Sequence, residues 1–251
     1  MYKMKKVTHF LHTMKGIVLA GGKATRLRPL TLITSKQLLP VYNKPMIFYP
    51  IETLVRAGIK DILIIIAPDY SGQFLNLLGD GSEFGARFSY AIQKEPRGLP
   101  DAFIVGKSFI DNDNVTMILG DNIFDQDFSG DIKNFKNGGL VYAKEVPDPE
   151  RYGVVEFDQN MKALSFEEKP QKPKSNYASV GLYIYDKNVV KVAESLKPSA
   201  RGELEIVDIH NTYLRQGNLK VRVVKGLWED AGTFDSLLRV SNIMAKKASQ
   251  L

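Results

Sequence analysis

The chain contains no cysteine, one tryptophan and three histidines in 251 residues. Without cysteine there are no disulfides, no thiolate nucleophile and no thiolate metal ligand. His9 and His12 fall in the opening MYKMKKVTHFLHT, and His210 falls in a segment of helical periodicity. A lone helical histidine reads first as a core or surface residue. Covalent catalysis through cysteine or a histidine-activated nucleophile therefore has little to draw on. No apolar run approaches the roughly 20 residues that cross a bilayer, so no membrane partner is expected. The first thirteen residues lack the apolar core of about 7–15 residues that a secretory signal carries. They read as an extension outside the fold, and the protein as cytoplasmic. There are no internal repeats, low-complexity segments or obvious linkers, so residues 14–251 read as one domain.

What is present is ordinary globular composition, 44% hydrophobic and 25% charged, with a formal net charge of +6. A chain this long buries a full core without covalent staples. Its lysines are dispersed, as on a solvated surface. No basic stripe interleaved with aromatics marks a nucleic-acid partner.

The first half alternates strand and helix patterns. KGIVLA (15–20), ILIIIA (62–67) and VTMIL (115–119) are near-continuous apolar runs, with a further strand over 88–93. Helical patterns fill 46–57 and 101–109. Uninterrupted apolar strands separated by helices predict an α/β fold, a parallel sheet covered on both faces. The second half predicts strands over 140–146, 153–157, 162–168, 177–185 and 219–224. Its helices are expected over 187–196 and 203–216, and over 234–246 after an N-cap at Thr233.

Ligands of open parallel sheets bind beyond the carboxyl ends of the strands. Three such ends carry polar chemistry: Gly21-Gly22, Gln93 and Gly120-Asp121-Asn122. Glycines let a backbone approach phosphate, and Arg26 behind them offers a two-pronged donor. A plain tight turn with a surface arginine fits the same residues. The loop is neither GxxxxGK[ST] nor GxGxxG. Asp121 reads as a turn residue or as a hard oxygen ligand suited to Mg²⁺. On spacing alone, Asp230 complements the dipole of the helix after Thr233, and Glu167-Glu168-Lys169 is a charged strand end. Cations, glycines and carboxylates suit phosphoryl chemistry, where positioning and charge neutralisation dominate.

Seven motifs then occur in order: LAGGKATRLRPLT, SKQLLP, GDN, ERYGV, EEKP, SARGELEI and WEDAGT. Together they closely resemble the sugar-1-phosphate nucleotidylyltransferases, and SKQLLP with SARGELEI resembles the glucose-1-phosphate thymidylyltransferase branch. The resemblance covers residues 14 to about 245. It implies a Rossmann-like, mostly parallel sheet with an inserted sugar-binding lobe. Residues 14–135 would form mainly the nucleotide half, 136–232 the sugar half and 233–246 a C-terminal helix. It implies a Mg²⁺-dependent reaction of dTTP with glucose 1-phosphate, giving dTDP-glucose and pyrophosphate for deoxysugar synthesis. UTP is the alternative nucleotide, and a silent binding subunit the alternative class. Asp121, Asp230, Arg26, Lys36 and Lys169, which such a subunit tends to lose, are all present.

Residue by residue, the resemblance puts Leu19, Gly21, Gly22, Thr25 and Arg26 on the nucleotide, with Lys36 a second cation on its phosphates. Gln37 and Gln93 match base-reading amides, and Gly98 a glycine against the base. Asp121 and Asp230 match the Mg²⁺ pair. Gly153, Glu168, Lys169 and Arg201 match contacts to the sugar and its phosphate. Asn122, Tyr152 and Trp228 shape that pocket. Two departures stand out. Ala24 replaces a glycine of the family's GGxGTR loop, which is easy only at negative φ. The longer relatives also carry further C-terminal helices tied to subunit contacts and an effector site. A homo-oligomer is expected, but the resemblance carries over neither feedback by a dTDP-sugar nor the usual tetramer.

Overall fold

A computed structural model describes residues 14–22 and 24–250. The expectations for residues 1–13, His9 and His12 among them, lie outside the described residues.

The first half runs β1 (Met14–Ala20), the short β2 (Pro40–Val41) and β3 (Lys44–Pro45), α1 (Phe48–Arg56), β4 (Asp61–Ile66) and α2 (Ser71–Leu78). It continues through β5 (Arg87–Ile92), α3 (Asp101–Val105), α4 (Lys107–Ile110), β6 (Asn114–Leu119), β7 (Asn122–Phe124) and α5 (Ser129–Asn134). Then come β8 (Gly139–Glu145), β9 (Gly153–Phe157), β10 (Ala163–Glu168), β11 (Tyr177–Tyr185), α6 (Val189–Ser195) and α7 (Ile206–Arg215). β12 (Leu219–Val223), β13 (Trp228–Asp230) and α8 (Phe234–Ala248) complete the chain.

Nine strands form one sheet, ordered β10-β9-β11-β6-β1-β4-β5, with β8 on β11 and β12 on β8. β1 is central and parallel to both β4 and β6, and β4 is parallel to β5. β11 reverses direction against β6, β8 and β9. The apolar runs have a simple cause. Alternate side chains of each central strand enter two different cores. Ile17, Leu19, Leu63, Ile65 and Met117 face Phe103, Ile110 and Ile209 on one side. Val18, Ile62, Ile64, Ile66 and Ile118 face Ile51, Leu54 and Phe74 on the other. With each such side chain contributing about 1.5–3 kcal/mol on burial, this α/β sandwich is a firm platform for its strand ends.

The helix expected over 101–109 is two short helices meeting at Gly106. A Cβ there would lie 3.2 Å from both Ile17 and Leu63, so the backbone itself packs on the sheet. α2, α5, β7 and β13 had no counterpart in the sequence reading. The expected Thr233 cap is present as a capping box: Ser236 N donates to Thr233 Oγ1 at 3.2 Å, and Thr233 N donates to Ser236 Oγ at 3.0 Å. Among the described residues, no helix is long and apolar enough to cross a membrane.

Candidate active site

The parallel strands β1, β5 and β6 end on one rim, which gathers Gly21, Gln93 and Asp121. Gly21 lies close against Gln93, since a Cβ there would sit 2.6 Å from Gln93 Oε1. Gly22 follows at φ 117°, and Ala24 is left-handed at φ 45°, ψ 43°. The conformation that normally calls for glycine is therefore kept, with alanine bearing its strain.

This loop separates two clefts. Gly22, Ala24, Ser35, Lys36, Tyr70 and Gln93 are among the residues lining the first, of about 440 Å³. Thr25, Arg26, Tyr152, Glu168, Trp228 and Asp230 are among those lining the second, of about 650 Å³.

Charges converge where the clefts meet. β7 and β13 pair, setting Asp230 opposite Asn122, and Ala231 N donates to Asp121 O at 3.0 Å. The Lys36 ammonium donates to Asp121 Oδ2. Burial works against the Lys36 charge, but Asp121 and Asp230 outweigh it and hold its pKa above the ordinary value. Asp121 is likewise held low, because Lys36 and the Asn122 amide outweigh its burial. Asp230 moves the other way: burial, then the charge of Asp121, pushes its carboxyl up to about 6. Its Oδ1 is buried without a hydrogen-bond partner. The Arg26 guanidinium lies nearby, since a Cβ on Gly232 would sit 2.8 Å from Asp230 Oδ1 and 3.0 Å from Arg26 Nη2.

Two adjacent carboxylates, one with an orphaned oxygen, fit a hard divalent cation. Mg²⁺ takes one or two carboxylates and completes its shell with phosphate oxygens and water. Among the described residues, no group of three or more His, Asp or Glu side chains could hold a metal alone.

In the second cleft, Asn122 acts as a brace. Its Nδ2 donates to Asp121 Oδ1 at 3.1 Å, and its Oδ1 accepts from Trp228 Nε1 at 2.6 Å and Gly181 N at 3.1 Å. Tyr152 meets the indole edge-on, ring centroids 5.4 Å apart. Gly153 lies against Glu168, where a Cβ would sit 3.2 Å from Oε2. Burial raises the Glu168 pKa despite Lys169 at 3.6 Å and Arg201 at 3.2 Å. Lys169 is left-handed at φ 43°, strained backbone at a strand end in the cleft wall.

The remaining expected residues are engaged by neighbours within the fold. The Arg201 guanidinium is held by Glu205, with Nη2 to Oε2 at 2.6 Å. Gly98, at φ 106°, bridges Leu204, whose carbonyl a Cβ would strike at 2.1 Å. Leu19 is buried within β1, and its carbonyl accepts from Gly120 N at 2.9 Å. Gln37 is buried and accepts from Ser35 Oγ at 2.6 Å. His210 is a fully buried core residue between Tyr185 Oη and Ser179 Oγ. The sequence reading missed Ser179 and Gly181, which also line the second cleft. Their signal was small residues set in the aromatic strand YASVGLYIY.

Comparison with known proteins agrees with this layout. Residues 15–247 match the nucleotidyl transferase family model. A glucose-1-phosphate thymidylyltransferase of Neisseria meningitidis serogroup A is 55% identical over 230 residues, 89% of this chain and 80% of the relative. One from Mycobacterium tuberculosis H37Rv is 51% identical over 236 residues, 92% of this chain and 82% of the relative. A solved Bacillus anthracis structure, assigned as a glucose-1-phosphate thymidylyltransferase and crystallised with sucrose, superposes with a TM-score of 0.87. It is 45% identical and covers 92% of this chain and 95% of its own. A UDP-glucose pyrophosphorylase at 24% identity and TM-score 0.81 shares the fold, matching 94% of this chain and 99% of its own. The loop between two clefts, the paired carboxylates and these matches lead to one assignment: the chain belongs to the nucleotidyl transferase family.

Proposed function

We propose that the chain transfers the thymidylyl group of dTTP to glucose 1-phosphate, releasing pyrophosphate, with Mg²⁺ as cofactor. An oxygen of the sugar phosphate bonds to the α-phosphorus. The bond from that phosphorus to the β-bridging oxygen breaks, and its electron pair leaves with pyrophosphate. The observation that carries this reading is the glycine loop between two clefts, with Lys36, Arg26, Asp121 and Asp230 at their junction. A sugar phosphate has a second pKa of about 6 and is already mostly dianionic at neutral pH. No general base is required; alignment and relief of anion repulsion are.

Gly21 and Gly22 offer backbone N–H groups to the triphosphate, and Thr25, Arg26 and Lys36 hold its phosphates. Gln37 and Gln93 read the base, with Leu19 and Gly98 shaping the nucleotide side. Asp121 and Asp230 would hold Mg²⁺, with the unpartnered Asp230 Oδ1 free to serve as a ligand, and the ion would supply neutralisation of phosphate charge. Asn122, Tyr152, Gly153, Glu168 and Trp228 hold the hexose, and Lys169 its phosphate. Arg201 takes the same phosphate by exchanging its Glu205 partner. Residues 14–135 thus supply mainly the nucleotide side and 136–232 mainly the sugar side.

The test is initial pyrophosphate release from glucose 1-phosphate and Mg²⁺ with dTTP, UTP, dCTP, ATP and GTP in parallel. A dTTP preference is expected. Thymine and uracil differ by one methyl, worth about 1–3 kcal/mol, so the UTP rate should be lower by roughly 10-fold or more. Equal rates would make the enzyme a broader pyrimidine nucleotidylyltransferase. No release with any nucleotide would refute the reading.

A further inference from the structure

Gln93 is buried and carries the base-reading role only if its amide faces the correct way. An amide presents a donor or an acceptor according to its rotation, and neighbours must choose. Here the choice is forced. Gln93 Nε2 donates to Asp101 Oδ2 at 2.8 Å. The other Asp101 oxygen, Oδ1, accepts from Arg97 Nη2 at 2.6 Å. Asp101 itself is only 1% exposed, so water offers Gln93 no competing partner there. An ionised carboxylate accepts hydrogen bonds and gives none. With Nε2 turned to Asp101, Oε1 must point away from it, and it does: it stands against Gly21 on the rim of the first cleft.

Gln37 is not locked in this way. Its partner Ser35 Oγ can donate or accept, so a hydroxyl tolerates either amide rotation.

We propose that Asp101 is a positioning residue that sets base specificity, holding Gln93 as a hydrogen-bond acceptor for bases that carry an N3–H. Resting on the nucleotide reading above, this admits thymine and uracil, whose N3–H donates. It rejects cytosine, whose N3 is itself an acceptor and would face Oε1 lone pair to lone pair. Arg97 keeps the Asp101 charge compensated and takes no part in the choice.

Asp101→Asn tests it. The new side chain keeps its size but has one acceptor, which Arg97 claims. Its amide N–H then faces Gln93, which rotates to accept and presents Nε2 to the cleft. The kcat/KM ratio of dTTP to dCTP should fall at least 10-fold, while the ratio of dTTP to UTP stays within about twofold, since both bases carry N3–H. A merely loosened pocket would instead lower all three rates together or blur the methyl discrimination. Arg97→Ala is the control. It removes the ion pair and lowers the melting midpoint, yet keeps the carboxylate, so the dTTP to dCTP ratio should hold. All rates are read well below each variant's midpoint. An unchanged dTTP to dCTP ratio in Asp101→Asn, or an equal fall in Arg97→Ala, would overturn the proposal. A wild-type protein inactive with every nucleotide would instead refute the thymidylyl reading itself.

Discussion

Asp230→Asn separates what the fold wants from what the site needs. The Asp230 carboxyl is pushed up to about 6 by burial and by Asp121, against an ordinary 3.8, and its Oδ1 has no partner. A raised carboxyl pKa means that the folded protein holds this proton more tightly than the unfolded chain. Below the unfolded value both states are protonated and nothing is lost. As pH rises from about 3.8 through about 6, the unfolded chain ionises freely while the folded state must be forced to carry the charge, so stability falls over that window and levels off above it. A rise from 3.8 to about 6 corresponds to about 3 kcal/mol as an upper figure, or about 1.5 kcal/mol if half is relieved by relaxation and solvent. Asparagine removes the charge and can donate to Asp121. Without Mg²⁺ at pH 7.5, Asp230→Asn should therefore melt roughly 3–12 °C higher than wild type, at about 2–4 °C per kcal/mol for a domain of this size. At pH 4.5 the gain should shrink to about a third. Mg²⁺ should raise the wild-type midpoint and leave the variant's nearly unmoved. Turnover should fall by about 100-fold or more, equivalent to about 3 kcal/mol of barrier. Scanning fluorimetry in chelator at both pH values, with pyrophosphate release alongside, reads all of this. A variant less stable than wild type at pH 7.5, or one turning over normally, would refute the carboxylate pair as a charged, metal-holding site.

Ala24→Gly should relieve the left-handed strain of about 1–2 kcal/mol while adding about 0.4–1 kcal/mol of unfolded-chain entropy. A net gain of about 0.5–1 kcal/mol in urea unfolding is expected, and a loss above that size would contradict the loop geometry. Lys169→Ala should lower kcat/KM for glucose 1-phosphate by about 10-fold or more with the KM for dTTP unchanged; an unaltered sugar dependence would remove Lys169 from the phosphate. His210, fully buried, has its pKa lowered to about 3, so its stabilising contribution is complete above about 6.5 and is lost as pH falls toward 3. His210→Gln should flatten the stability slope between pH 6 and 4 by one proton, about 1.4 kcal/mol per pH unit, and an unchanged slope would mean that the imidazole is protonated in place.

The rim of the sheet was legible because two central strands write their own ends, apolar runs that stop at Gly21 and at Gly120-Asp121, while Gln93 closes the mixed edge strand β5. The partners of those residues were not. β7 and β13 hold three residues each, and the Asn122–Trp228 bond spans 106 positions, so neither leaves a local periodicity. The same holds for Asp101, which reads as a helix-start acid until the fold brings Gln93 to it. Arg201 matched a motif, yet Glu205, four residues on, occupies its guanidinium. Ala24 shows the converse. The substitution was plain in the sequence, but only the backbone reveals that it sits at positive φ.

The most direct measurement follows oxygen. Glucose 1-phosphate carrying ¹⁸O at its non-bridging phosphate oxygens is incubated with unlabelled dTTP and Mg²⁺, and the products are resolved by mass spectrometry and ³¹P NMR. If the sugar phosphate attacks the α-phosphorus, all label ends in dTDP-glucose, with part of it in the bridge between the two phosphates, and released pyrophosphate is unlabelled. Label in pyrophosphate, or a dTDP-glucose without label in its bridge, would contradict that attack.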